Sequence, residues 1–375
     1  MKKKIVSCLL LGALIASLAG CSSGSGETTQ APETTAAETE TAAQTETAAQ
    51  AEETETEAAE TESQTAEDTS EAAGETGATV RIGSLTGPTS MGLVSLMDKA
   101  EKGETANTYE FTMAAAADEI NASFLNGDLD IVLIPANVAS VLYNRTEGQV
   151  AVIDINTLGV LYVLETGENI SSVADLAGKT IYLPGKGTTP DYALQYVLAQ
   201  NGLTTDDVDL QYKSEAAEVI SAMTEDPEAV GLLPQPAATT ACVQNGDAGV
   251  RIALNLTEEW DAVSEDSSLV TGVTVVRREF LENNEAAVQA FLQEHEESAA
   301  YTNENVEEAA AMVEELGIVP KAAIAQQAIP LCNITCITGN DMKTALSGYL
   351  EVLSGQNAES VGGAVPGDDF YYGAE

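Results

Sequence analysis

From residue 79 to residue 277, short runs rich in Val, Ile and Leu alternate with helix-length segments. This alternation limits the fold more than any other feature. Strands that are apolar along their whole length must be covered on both faces, and alternating helices provide that cover in a mostly parallel sheet. Strands are predicted at 79–84, 109–113, 129–134, 150–155 and 159–165. The first is broken by Gly87-Pro88-Thr89-Ser90, which opens a helix towards Lys102. Gly127 closes a helix over 116–126, and Pro135 starts the next. The pattern restarts at 180–183, where Gly185-Lys186-Gly187-Thr188-Thr189-Pro190 opens a second helix. Further strands are predicted at 208–213, 229–233, 250–254 and 269–276, and a mainly helical, amphipathic stretch at 278–355. The chain is therefore expected to fold as two α/β lobes. The first is discontinuous, 79–164 plus 274–375, and the second is 165–273. Two extended segments, near 164–167 and 272–275, form the hinge. Ligands of open α/β sheets bind at the carboxyl ends of the strands, so two such lobes enclose a closable cleft.

The N-terminal region is of another kind. Lys2, Lys3 and Lys4 precede an apolar run over 5–18, too short for an ordinary membrane span and suited to a signal peptide, 1–20. It ends in Leu18-Ala19-Gly20-Cys21, which resembles the bacterial lipobox. The resemblance implies cleavage before Cys21 and lipid attachment to its sulfur. The plainer alternative is an ordinary cleaved signal with an incidental cysteine. Between residues 22 and 78 there are fifteen acids and no Lys, Arg or aromatic residue. Such a composition buries too little apolar surface to order itself, so 21–78 is expected to be a disordered tether spanning about 40 Å. The expected location is the outer face of a bacterial cytoplasmic membrane, held by the lipid anchor.

Beyond the tether, twelve basic and forty-five acidic residues leave a charge near −33. That field repels nucleic acid and anionic headgroups, and neither is expected as a partner. Cys8 leaves with the signal and Cys21 is the lipid site, so Cys242, Cys332 and Cys336 remain. Cys332 and Cys336 pair as a disulfide or stay as buried thiols. They are expected far from the crevice turns. The chain has one histidine, His295, and the flanking Glu294, Glu296 and Glu297 place it on a surface helix. Too few ligands come together for zinc, so no metal and no cofactor are expected. No Ser/His/Asp set or paired catalytic acids are found, and no enzymatic activity is expected.

The order Ile82-Gly83-Ser84, Gly87-Pro88-Thr89-Ser90, Asn126-Gly127-Asp128-Leu129-Asp130-Ile131, Pro135-Ala136-Asn137, Leu176-Ala177-Gly178-Lys179-Thr180-Ile181, Pro234-Gln235-Pro236-Ala237 and Asp369-Phe370-Tyr371-Tyr372 resembles a known group. This is the extracytoplasmic solute-binding proteins of ABC importers, of the nitrate/sulfonate/taurine and thiamine-pyrimidine precursor type. The resemblance spans 79–375. It implies a type II periplasmic-binding-protein-like fold and capture of a small molecule for an ABC permease and its ATPase, with no catalysis. Monomer is the default state of such shuttles. Many relatives carry Glu between the two prolines where this chain has Gln235, which weakens transfer of any relative's ligand. Two alternatives stand beside transport: a ligand-sensing or interaction lipoprotein, and a pyrimidine-synthase-like enzyme. The second lacks the histidine and cysteines it needs in the crevice.

Ligand contacts are expected from two turns. Ser84, Thr86, Gly87, Thr89 and Ser90 offer hydroxyls and backbone N–H groups at a helix N-terminus, which suits a carboxylate, sulfonate or phosphate, or serve as an ordinary cap. Gly187, Thr188 and Thr189 hold the equivalent place in the second lobe, with Lys186 as the only cation. Asn137 offers an amide contact or a helix cap, Gln235 a second amide, and Tyr162 a stacking ring or core packing. With no arginine in these turns, a neutral or singly anionic organic ligand fits better than an inorganic oxyanion.

Overall fold

The computed structural model describes residues 77–115, 117–264 and 267–375. The signal peptide, the lipid site Cys21 and nearly all of the tether lie outside the described residues. Among the described residues eleven strands follow in chain order: β1 (Thr79–Leu85), β2 (Thr108–Ala114), β3 (Ile131–Pro135), β4 (Val150–Leu158), β5 (Leu161–Thr166), β6 (Thr180–Pro184), β7 (Asp209–Lys213), β8 (Val230–Pro234), β9 (Val250–Asn255), β10 (Val270–Arg277) and β11 (Ile334–Ile337). They form two sheets. The first has the order β11-β4-β10-β3-β1-β2 and the second β7-β6-β8-β5-β9. The fold is the expected α/β pair of lobes.

Neither sheet is mostly parallel. In the first, β1 runs parallel to β2 and β3, while β10 is antiparallel to β3 and β4, and β11 to β4. In the second, β6 is parallel to β7 and β8, and β5 is antiparallel to β8 and β9. The strands on either side of the crossings between sheets, β4 and β10 in the first and β5 and β9 in the second, make the antiparallel pairs. The chain leaves the first sheet at Leu158 and is in the second by Leu161, so the boundary expected at 164–165 falls inside β5. It returns between Asn255 and Val270. The short β11 lies in a stretch expected to be helical. Only four residues long, it sits on the edge of the sheet, paired with β4 across a register shift.

The central strands read as predicted because they are sealed on both faces. Residues 131–134 are all buried, as are residues 150–157, whereas the edge strand β2 alternates exposed and half-buried positions. One buried acid organises the far end of the first sheet. Asp130 accepts from Arg81 N (3.1 Å), Nε (2.8 Å) and Nη2 (2.6 Å), and from Arg277 Nη2 (2.6 Å). Burial opposes its ionisation, but the bonds from the two arginines outweigh that and hold the carboxyl below its usual range. In the second sheet Glu165 takes Arg251 and the backbone N–H groups of Asn169 and Ile170 in the same manner.

Trp260 is fully buried, its indole donating to Ser267 O and Oγ, and its ring lies against Tyr196 and Tyr349 with centroids 4.2 and 5.8 Å apart. At the C-terminus Phe370 and Tyr371 are buried. Tyr372 N donates to Val152 O, which fastens the tail to β4. No helix among the described residues is long and apolar enough to cross a membrane.

Candidate functional site

The first turn follows β1 and leads into a helix of only four residues, Pro88–Met91. Its hydroxyls are already used. Ser84 Oγ and Ser90 Oγ lie 2.7 Å apart, Ser90 Oγ donates to Leu85 O at 2.6 Å, and Thr89 Oγ1 donates to the same carbonyl at 2.9 Å. Thr86, the exposed member, donates to Ala114 O. So short a helix carries little dipole, which weakens the expected anion site. The turn packs closely on β10. A methyl group on Gly272 would lie 2.8 Å from Thr89 Cγ2 and 2.5 Å from Asn156 Oδ1, so only glycine lets the strand pass.

The second turn follows β6 and opens the helix Thr189–Gln200. Lys186, Gly187 and Thr188 are exposed. Thr188 Oγ1 donates to Gly185 O. The buried Asp191 accepts from Gly187 N (2.8 Å), Gln195 Nε2 (2.6 Å) and Tyr212 OH (2.9 Å). A resident carboxylate thus occupies the N-terminus beside the expected ligand contacts Gly187, Thr188 and Thr189, and it opposes a second negative charge there. Burial, with Asp191 beside it, pushes the Tyr212 phenol up to about 12. Lys186 lies over the Tyr212 ring, 5.3 Å from its centroid. Thr189 sits beside the fully buried Tyr349 hydroxyl, whose pKa is raised by burial.

The remaining expected contacts are dispersed. Asn137 Nδ2 points to Ser360 O at 3.4 Å, so it braces the C-terminal segment. Tyr162 is 2% exposed and donates to Leu331 O at 2.8 Å, and burial pushes its phenol up to about 12. Its hydroxyl acts as a strut to the Leu331 segment. The residue after Leu331, Cys332, packs its sulfur 3.8 Å from Met91 Sδ, at the end of the first turn's helix. Cys332 is therefore close to the turn from which it was expected to be remote. Cys242, Cys332 and Cys336 are all free thiols, so the disulfide alternative falls.

Gln235 is 3% exposed, and its backbone N–H bonds Val160 O in the crossing between the sheets. Its Oε1 accepts from Thr239, but Nε2 is buried without a partner among the described residues. Two more buried polar atoms near the crossing also lack partners, Thr257 Oγ1 and Thr271 Oγ1. A methyl on Gly159 would lie 2.1 Å from Thr257 Oγ1, and Thr271 stands between the β10 residues paired with Leu158 and Thr157. Buried polar groups without partners are rare and call for a ligand or water. The two threonines were not singled out in the sequence. Their signal was position: hydroxyl residues within the segments where the chain changes sheets.

His295 is the largest correction. It sits on a helix that is exposed along its outer face, as expected, but points inward and is fully buried, with Nδ1 3.2 Å from Oδ2 of the equally buried Asp154.

A family model described as NMT1/THI5 like matches residues 147–309. No curated protein matches the chain. Among solved structures, an ABC transporter protein from Parabacteroides distasonis superposes with a TM-score of 0.66 at 22% identity, covering 78% of this chain and 98% of that one. The periplasmic aliphatic sulphonate binding protein SsuA of Escherichia coli gives 0.63 at 17% identity, over 78% of this chain and 90% of that one. The alkanesulfonate-binding protein SsuA of Xanthomonas axonopodis pv. citri, bound to MOPS, gives 0.57 at 16%, over 77% and 95%. These likenesses agree with the resemblance drawn from the motif order, and they show the periplasmic-binding-protein fold.

Proposed function

We propose that the chain is the solute-binding component of an ABC importer and that its two lobes close on a small, neutral or singly anionic organic molecule. The observation that carries this reading is the trio of unpartnered buried atoms at the crossing: Gln235 Nε2, Thr257 Oγ1 and Thr271 Oγ1. An amide and two hydroxyls are neutral groups. They suit a ligand with carbonyl, hydroxyl or ring-nitrogen functions, and they offer no compensation for a full inorganic charge. The turns reinforce the point, with the first spent internally and the second holding its own carboxylate. The proposed ligand-binding set remains Ser84, Thr86, Gly87, Thr89, Ser90, Asn137, Tyr162, Gly187, Thr188, Thr189 and Gln235, joined by Thr257 and Thr271. Ligand binding stabilises the closed form by its differential affinity, and that form docks on the permease. The lipid anchor at Cys21, the tether over 21–78, the monomeric state and the extracytoplasmic location belong to the same proposal.

A thermal-shift screen tests it with three ligand classes: neutral pyrimidine-like compounds, aromatic or alkyl monoanions, and inorganic oxyanions. A ligand at 100-fold its Kd stabilises by about 2.7 kcal/mol. Organic compounds should raise the midpoint, and Gln235→Leu should weaken the best of them by tenfold or more. A shift with nitrate or sulfate and none with organic compounds would overturn the assignment.

A further inference from the structure

We propose that Asp154, His295 and Cys336 form a binding site for a first-row divalent cation, with zinc the ion best suited to the donors. The site lies in the first sheet, behind the helix of the first turn, where a methyl on Gly92 would lie 3.7 Å from His295 Nε2. The three residues come from β4, from the helix Glu285–Glu304 and from β11, far apart in sequence, and their donor atoms lie within 4.8 Å of one another. A carboxylate oxygen, an imidazole nitrogen and a thiolate sulfur match the ligand set of zinc.

The spacing suits shared coordination of an ion as well as an ordinary hydrogen bond. Asp154 Oδ2 and His295 Nδ1 are 3.2 Å apart. Charge-assisted bonds of this kind are shorter, about 2.7–2.9 Å. Two ligands at about 2.0–2.1 Å from a tetrahedral zinc stand about 3.3 Å from each other. A sulfur at about 2.3 Å from the same ion needs to lie about 3.5 Å from each. From the 4.8 Å limit Cys336 closes by about 1.3 Å at most, which a side chain on a short edge strand can do.

The surroundings fit a ligand set. Asp154 Oδ1 is held by Thr274 Oγ1 at 2.9 Å, and that hydroxyl accepts from Asn156 Nδ2 at 3.1 Å. Such outer contacts orient metal-binding carboxylates. The His295 ring is stacked on Phe291, and its Nε2 is buried without a partner. Among the described residues its hydrogen-bond partner is Asp154, and a neutral imidazole is the form that ligates metal. Asp154 and His295 are sealed, but Cys336 is partly exposed, so an ion can enter past the edge strand. Binding releases the Cys336 thiol proton to solvent and clamps β11 and the helix onto β4.

Cobalt(II) added to the full-length chain is the first probe. One equivalent retained through dialysis, with a near-ultraviolet sulfur-to-cobalt charge-transfer band, is expected. Cys336→Ser should abolish the band, whereas Cys242→Ser and Cys332→Ser should keep it. Zinc K-edge absorption on the unsubstituted chain reads the same ligands without any variant: one sulfur and two or three nitrogen or oxygen neighbours. An all-oxygen shell, a band that survives Cys336→Ser, or no ion retained would each overturn the site.

Discussion

The turns after β1 and after β6 hold the same place in their sheets and are built in opposite ways. In the first, Ser84, Thr89 and Ser90 are buried and bonded to one another or to Leu85 O. In the second, residues 186–188 are exposed, and the turn hangs from one buried acid, Asp191. Equivalent topology therefore does not mean equivalent chemistry. The first turn is a buried wall that presents shape, and the second is an exposed flap tied to one carboxylate through Gly187 N.

The buried side should fail most visibly. Asp130→Asn removes the charge that two arginines share at the root of β1 and β10. Because both arginines are partly exposed, a loss of about 2–3 kcal/mol of unfolding free energy is expected in urea titrations, at the lower end for a broken buried pair. The carboxyl is held below its usual range in the folded protein. Its contribution is therefore fully present above the ordinary carboxylate pKa and disappears as pH falls through the depressed value. Wild type and variant should converge in acid, and divergence there would contradict the assignment. Ser90→Ala should come next, at about 1–2 kcal/mol, since it strips a buried hydroxyl from Ser84 and Leu85. Asp191→Asn keeps an acceptor oxygen and should lower stability least, by about 1 kcal/mol, while limited proteolysis within 185–189 accelerates. If Asp191→Asn proves more damaging than Ser90→Ala, the contrast between wall and flap is wrong.

Most of the architecture was legible in the sequence because strands sealed on both faces are written as unbroken apolar runs, and β3 and β4 are of that kind. The sense of β5 and β10 was not, since periodicity carries no direction. The strand β11 was too short to stand out from the helices around it. His295 was misplaced because its charged neighbours Glu294, Glu296 and Glu297 dominate the local pattern. Yet Val288, Phe291, His295, Ser298 and Thr302 follow the three-and-four spacing of a buried stripe, and all are buried. Asp154 gave a matching hint, an acid inside an apolar strand, which requires a partner. The turns were located correctly by Gly and Pro, but their hydrogen bonding was not readable. A hydroxyl in a turn serves its own backbone or a ligand with the same local sequence.

The strut from Tyr162 through Leu331 to Cys332 and Met91 gives the molecule a built-in gauge. The Cys332 sulfur is completely enclosed, and burial pushes its pKa up to about 12, so reagents attack it only when its surroundings part. Its labelling rate therefore times the breathing between β5 and the first turn. A solute that draws the lobes together would slow that clock, and the slowing would register occupancy without a dye, a tag or knowledge of what the solute is.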